Sequence, residues 1–293
     1  LTFRMSRSSP GRYATHEFGK NIYNVKAYNG SGSLLEVQQT EGDVYRVDKH
    51  DGTVRITYTI FGNWVDGTYM AIDETHAHLN MPATFMWIPA LKERPIQIKF
   101  NDLNRNNWKV ATQLKSTDNP NTFTAPDLNY FMDSPVELSN HHLVSWKDRN
   151  TDNAEQIIRL SSHSSDNKEV ISDYAKMVER MVKEAKAVFG ELPKFDYGIY
   201  TFLQDVNTGN AGDGMEHRNS TIITDTQPGI AGNELDLLGT FSHEFFHAWN
   251  VERIRPKTLE PFNFSHANMS SELWFAEGFT QYYGNLILKR AGF

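Results

Sequence analysis

The chain of 293 residues contains no cysteine. This absence excludes disulfides, thiolate zinc sites and cysteine nucleophiles, and it leaves histidines and carboxylates as the ligands for any metal. It does not identify a compartment, because a cysteine-free chain suits the cytoplasm and the periplasm alike. The localisation therefore stays unknown at this stage.

An excess of positive charge is also missing. The 29 Lys and Arg residues are outnumbered by 36 Asp and Glu residues, which gives a net charge of −7. No nucleic-acid partner is expected, because phosphate binding requires a basic surface. No run of about 18 apolar residues occurs, so no membrane span is expected either.

The first half of the chain has the pattern of β-strands. Apolar and polar residues alternate over residues 54–60, which is typical of a strand buried on one face. Asp51-Gly52 precedes this run and predicts a hairpin with the apolar residues 44–47. Further short apolar runs are separated by Pro and Asn clusters. The pattern predicts an antiparallel, β-sandwich-like domain over residues 1–163.

The second half has mainly helical periodicity. Apolar residues recur at helical spacing over residues 170–189, after Asp166-Asn167 as a cap and before Gly190 as a stop. Strands are predicted at 197–203 and 220–224, and helices at 234–250 and 271–289. The polar stretch 161–167 is the predicted domain boundary. The fold class is therefore α+β, with a second domain over residues 164–293.

The strongest chemical signal is His243-Glu244-Phe245-Phe246-His247, an H-E-x-x-H motif inside a predicted helix. Residues i and i+4 share one helix face, so both imidazoles can bind one Zn²⁺. Glu244 lies beside His243 and is placed to accept a proton from water that the metal has acidified. The motif predicts one catalytic zinc ion per chain.

A catalytic zinc site requires a third protein ligand, which is expected downstream on a second helix. Glu277 stands among aromatic and small residues in Trp274-Phe275-Ala276-Glu277-Gly278-Phe279, an unusual setting for a solvated acid. His266 lies between the two predicted helices and is the alternative ligand. Spacing alone does not exclude His266.

Two weaker patterns carry competing interpretations. His76 and His78 form H-x-H, which places both rings on one face of a strand. A second metal site there lacks an apparent third ligand, so structural hydrogen bonding is favoured. Residues 161–165, with His163 among four serines, have no G-x-S-x-G nucleophile motif and are interpreted as a linker.

The chain resembles the glycyl aminopeptidase family, zinc metallopeptidases related to the aminopeptidase N group. The resemblance rests on four segments, residues 6–16, 76–87, 243–256 and 274–283. It implies an N-terminal β-domain followed by a thermolysin-like zincin catalytic domain. It also implies that the zinc ligands are His243, His247 and Glu277 and that the general base is Glu244.

Residues 212–217 (G-D-G-M-E-H) resemble the G-x-M-E-N segment of aminopeptidase N. The resemblance implies that Gly214, Met215 and Glu216 bind substrate, with the backbone pairing to the peptide as an added strand. Glu216 would hold the free α-amine. His217 stands where the motif has Asn, which is a departure from the family pattern.

These observations predict a zinc aminopeptidase that acts on short peptides, with a preference for N-terminal Gly or Ala implied by the resemblance. A thermolysin-like endopeptidase and a non-catalytic peptide-binding module are the alternatives. The family continues into a C-terminal helical lobe and a PDZ domain, which are expected partners of this chain. Little activity is therefore expected from residues 1–293 alone, with the apolar side chains of Trp274, Phe279 and Leu286 poorly covered.

Overall fold

A computed structural model describes residues 1–206 and 210–293 of the chain, and the fold is α+β. Within these residues the α-helices are α1 (Met81–Thr84), α2 (Leu128–Met132), α3 (Lys168–Phe189), α4 (Glu234–Phe246) and α5 (Leu273–Ala291). None of these helices is long and apolar enough to cross a membrane.

The first thirteen strands form four small antiparallel sheets in the N-terminal half. The sheet orders are β1-β5-β4, β3-β2-β6, β10-β13-β8-β7 and β11-β12-β9. The strands are β1 (Thr2–Arg4), β2 (Ile22–Tyr28), β3 (Leu34–Leu35), β4 (Gln38–Glu41), β5 (Val44–Arg46), β6 (Arg55–Ile60), β7 (Ala71–Ile72), β8 (His76–Leu79), β9 (Ile96–Lys99), β10 (Lys109–Thr112), β11 (Lys115–Ser116), β12 (Thr122–Ala125) and β13 (Val136–Ser139).

The hairpin predicted around Asp51-Gly52 is wrong. Gly52 has a φ of 99°, so a turn does lie there, but β5 pairs with β1 and β4 whereas β6 pairs with β2. The turn signal is local, whereas the choice of partner strand depends on which apolar face each strand buries.

A five-stranded sheet in the order β14-β15-β16-β18-β17 forms the centre of the second half. Its strands are β14 (His142–Arg149), β15 (Glu155–His163), β16 (Ile199–Val206), β17 (Asp213–His217) and β18 (Ser220–Asp225). The pairs β15–β16 and β16–β18 are parallel, while the two outer pairs are antiparallel. Strand β17 is therefore an edge strand.

Residues 161–163 belong to β15, so the linker predicted there is wrong. Ser161 and Ser162 are fully buried, and Ser162 Oγ donates to Gln204 Oε1 at 2.9 Å. This hydrogen bond offsets the cost of burying the Ser162 hydroxyl. The boundary between residues 163 and 164 stays a prediction, although β15–β16 hydrogen bonds join strands on both sides of it.

Helix α3 has the ends that its sequence predicts. The Asn167 side chain accepts hydrogen bonds from the amides of Glu169 and Val170, and Gly190 ends the helix with a φ of 82°. Its apolar face packs with α4 on the five-stranded sheet. The shared core includes Tyr174, Val178, Phe202, Phe241 and Phe245.

Helix α4 ends at Phe246, four residues before the predicted end, and His247 is its C-terminal cap residue. Helix α5 packs closely against α4 because Gly284 has no side chain. A Cβ at Gly284 would lie 3.2 Å from His243 Cα, and Ser242 Oγ donates to the Gly284 carbonyl at 2.8 Å. This contact brings α5 beside the histidine motif.

Candidate metal centre and substrate cleft

Three side chains from α4 and α5 converge on one point. The Nε2 atoms of His243 and His247 lie 3.2 Å apart, and Glu277 Oε2 lies 3.5 Å from each. Ligands bound to zinc at about 2.0–2.1 Å in tetrahedral geometry are about 3.3–3.4 Å apart. The three donor atoms therefore have the spacing that a zinc ion requires, and they are the residues predicted as ligands.

The orientation of His247 is set by its second ring nitrogen. Nδ1 donates to the carbonyl of Asn250 at 2.7 Å, so Nε2 of the neutral ring presents its lone pair to the centre. The Asn250 side chain also donates to the carbonyl of Ala276 at 3.2 Å on α5. Asn250 therefore links the second histidine to the helix that carries Glu277.

Tyr13 contacts the same centre from the N-terminal half. Its hydroxyl donates to Glu277 Oε1 at 3.2 Å. Burial, with a further contribution from Glu216 and Glu277, raises the pKa of Tyr13 far above its ordinary value. Tyr13 therefore stays a hydrogen-bond donor to this carboxylate. The sequence analysis did not select it individually, although it lies in the segment 6–16 that resembles the family.

Glu244 is buried beside the three donors. Burial raises its pKa to about 7; Glu216 and Glu277 also raise it, while the two histidines oppose this shift. A carboxylate with a pKa near neutrality can accept and release a proton near pH 7. A Cβ at Gly214 would lie only 2.3 Å from Glu244 Oε1, so β17 can approach the carboxylate only with glycine there.

A cavity of about 530 Å³ lies between α4, the edge strand β17 and residues 11–13. Its lining includes Gly214, Met215 and Glu216, and Glu216 is only 6% exposed. One carboxylate oxygen of Glu216 lies within 4.8 Å of ligand atoms of Glu244 and His247. Met215 contributes to the lining but packs mainly into a buried apolar cluster behind β17.

An ion pair fixes the start of β17 to the N-terminal half. The Arg12 guanidinium contacts the carboxylate of Asp213, and the Gly67 amide donates to Asp213 Oδ2 at 2.9 Å. His217, at the other end of the strand, is buried and its Nδ1 donates to Asp133 Oδ1 at 2.8 Å. His217 is not among the residues that line the cavity.

His266 is exposed, and its Nδ1 donates to the adjacent carbonyl of Ala267 at 3.0 Å. It is not part of the donor group formed by His243, His247 and Glu277. The geometry therefore favours Glu277 over His266 as the third ligand. The assignment of metal, base and substrate roles to these side chains stays a prediction.

Two family models match the chain. Residues 1–140 match the Peptidase M61 N-terminal domain, and residues 236–293 match the M61 glycyl aminopeptidase family. No curated protein matches the chain significantly in sequence.

Two solved structures resemble the fold. An aminopeptidase N family protein from Idiomarina loihiensis has a TM-score of 0.84 at 22% identity, covering 99% of this chain and 50% of that one. Legionella pneumophila aminopeptidase A, in complex with aspartic acid, has a TM-score of 0.56 at 13% identity, covering 99% of this chain and 33% of that one. The chain thus spans half or less of the length of these two proteins.

The structural likeness confirms an α+β aminopeptidase-like fold. Both family models describe the M61 peptidases. The resemblance inferred from the sequence is therefore confirmed: the chain belongs to the M61 peptidase family.

Proposed function

We propose that this chain carries the zinc site and the catalytic base of an aminopeptidase that hydrolyses the first peptide bond of short peptides. One observation supports this proposal above all. A single cavity contains the donor group on α4 and α5, the buried Glu244, and Glu216 on an edge strand. These are the parts that metal-assisted hydrolysis of a peptide with a free N-terminus requires.

One zinc ion would be held by His243, His247 and Glu277, a set of two imidazoles and one carboxylate that is known from catalytic zinc sites. When bound, zinc supplies a Lewis acid that polarises a carbonyl group and acidifies water. Tyr13 and Asn250 would hold Glu277 and His247 in position.

Glu244 would move the proton in this reaction. It would accept a proton from the attacking water and pass it to the departing amine. Two features support this role: its pKa is raised to about 7, and it is not part of the donor group of His243, His247 and Glu277. Gly214 leaves the space that its carboxylate occupies.

The edge strand β17 would bind the substrate. Its free edge offers backbone groups for an added peptide strand, as in other cases of strand addition. Glu216 would bind the α-ammonium group by a charge-assisted hydrogen bond. The Gly part of the proposed Gly or Ala preference is supported by the description of the family that matches residues 236–293, M61 glycyl aminopeptidase.

The experiment compares wild type with Glu244→Gln in the longest available form of the protein. Zinc content is measured by mass spectrometry, and turnover is measured on glycyl and alanyl arylamides. We expect the variant to keep about one zinc at this site and to lose catalysis, because Glu244 moves a proton and does not bind metal. Loss of zinc, or turnover close to wild type, would contradict the mechanism.

Adding N-acetylated forms of the same substrates to this assay separates the alternatives. An endopeptidase would cleave N-acetylated peptides as readily as free ones. A non-catalytic peptide-binding module would bind zinc and peptide but show no turnover of either substrate.

A further inference from the structure

A second group of metal-ligating side chains lies outside the proposed active site, between the β10-β13-β8-β7 sheet and the five-stranded sheet. His76 comes from β8 and Glu137 from β13, while His163 ends β15 and Asp205 lies in β16. One ligand atom from each of these four residues lies within 4.8 Å of the others. The H-x-H pattern therefore has the additional ligands that the sequence analysis did not identify.

The spacing of the donor atoms is that of metal ligands. His76 Nδ1 lies 3.3 Å from Glu137 Oε1 and 3.5 Å from Asp205 Oδ1. His163 Nδ1 lies 3.0 Å from the same Asp205 oxygen. These separations bracket the distance of about 3.3–3.4 Å expected between tetrahedral zinc ligands.

Several polar atoms of this group have no hydrogen-bond partner among the described residues, although His76 Nε2 lies 3.6 Å from Asp73 Oδ2. Both ring nitrogens of His76 and both carboxylate oxygens of Glu137 are buried without a hydrogen-bond partner in the described parts of the chain. Both side chains are fully inaccessible. A buried carboxylate without any hydrogen-bond donor is costly unless a cation lies beside it.

The cation is not provided by lysine or arginine. Across residues 1–206 and 210–293, every ion-pair partner of Glu137 and Asp205 is an imidazole. The rings of His76 and His163 are stacked with centroids 4.5 Å apart, and both imidazoles contact the same carboxylate, Asp205. A divalent ion bound among these donors would neutralise both carboxylates.

His78 is oriented to support such an ion from one side. Its Nε2 donates to the Asp66 carbonyl at 2.9 Å, which turns Nδ1 toward the two carboxylates. That atom lies 3.4 Å from Asp205 Oδ2 and 3.8 Å from Glu137 Oε2.

We propose a second, structural zinc site at this junction, formed by His76, Glu137, His163 and Asp205. Two imidazoles and two carboxylates complete four-fold coordination and leave no position for substrate, which distinguishes it from a catalytic site. The ion would join strands of the N-terminal half to β15 and β16. This inference does not depend on the proposed peptidase activity.

The test is the zinc stoichiometry of the purified chain after dialysis against metal-free buffer, measured by mass spectrometry. We expect about two zinc ions in wild type, about one in Glu137→Gln, about one in His243→Asn, and none in the double variant. The matched control is His141→Asn, which replaces a buried histidine in the loop after β13 and should keep two. An unchanged zinc content in Glu137→Gln would overturn the proposal.

Anomalous diffraction at the zinc absorption edge can be measured on crystals of the wild-type protein. It tests the second zinc site even if the variants do not fold. The expected result is an anomalous peak about 2.0–2.2 Å from His76 Nδ1 and Glu137 Oε1. A peak only at His243 and His247 would overturn the second site and leave the proposed function intact. A peak only at the junction would support the second site and contradict the proposed function.

Discussion

Replacing Gly214 with alanine tests the close contact between β17 and the proposed base. An added Cβ would lie 2.3 Å from Glu244 Oε1, whereas ordinary contacts begin at 3.4 Å, so the carboxylate or the strand must move by about 1 Å. Gly214 does not have a positive φ, so the effect is steric and not a matter of backbone strain.

A displacement of about 1 Å at a reacting group can lower turnover about 100-fold, which corresponds to about 2.7 kcal/mol of activation free energy. In the longest available form of the protein, we therefore expect kcat on alanyl arylamide to fall about 100-fold in Gly214→Ala. Zinc content should not change, because the three atoms nearest the added methyl group all belong to Glu244, which is not a proposed ligand.

The matched control is Gly212→Ala, two residues earlier in the chain. No atom of residues 1–206 or 210–293 lies within 4 Å of a Cβ at Gly212, and its φ is not positive either. This variant should keep kcat within about threefold of wild type. The reasoning is refuted if Gly214→Ala also stays within that range, or if both variants lose the same activity.

Three further substitutions test other parts of the chain. Glu216→Ala should cost about 2–5 kcal/mol more on peptides with a free N-terminus than on N-acetylated ones, and an equal loss would favour the endopeptidase. Tyr13→Phe removes the hydrogen bond to Glu277 and should weaken zinc binding roughly 10-fold by calorimetry; unchanged affinity would exclude a positioning role. Burial, with Lys109 nearby, lowers the pKa of His141 from 6.5 to about 4. Between pH 6.5 and pH 4 the unfolded chain therefore binds more protons than the folded chain, so the free energy of unfolding falls as the pH falls. In urea unfolding, wild type should therefore lose about 2 kcal/mol more than His141→Asn between pH 7 and pH 5, and parallel curves would contradict this.

Local signals in the sequence are sufficient to predict helix α3 and the histidine motif. Helix α3 was predicted within two residues because its cap, its period and Gly190 all agree. The motif at residues 243–247 indicated a metal site because helical spacing alone brings residues i and i+4 together. The choice of Glu277 over His266 required the family resemblance, since spacing left both possible.

Contacts between distant segments could not be predicted in this way. Tyr13 meets Glu277 across 264 positions, and Arg12 meets Asp213 across 201. Neither pair has a local pattern, because each depends on how the N-terminal sheets dock on the five-stranded sheet.

The exposure expected on α5 is seen for Trp274 and Phe279, which are 69% and 41% exposed, whereas Leu286 is half-buried.

The junction between the two halves of the chain therefore contributes both to the proposed active site and to the fold. Residues 11–13 form one side of the cleft, and Tyr13 reaches a proposed zinc ligand on α5. The group around His76 and Asp205 lies at the same junction, on the far side of β16 from the edge strand. If a zinc ion joins the halves there, it constrains the docking that brings Tyr13 and Arg12 to the cleft. Removing that ion would then alter the cleft as well as the stability of the fold, although none of its ligands contacts the substrate.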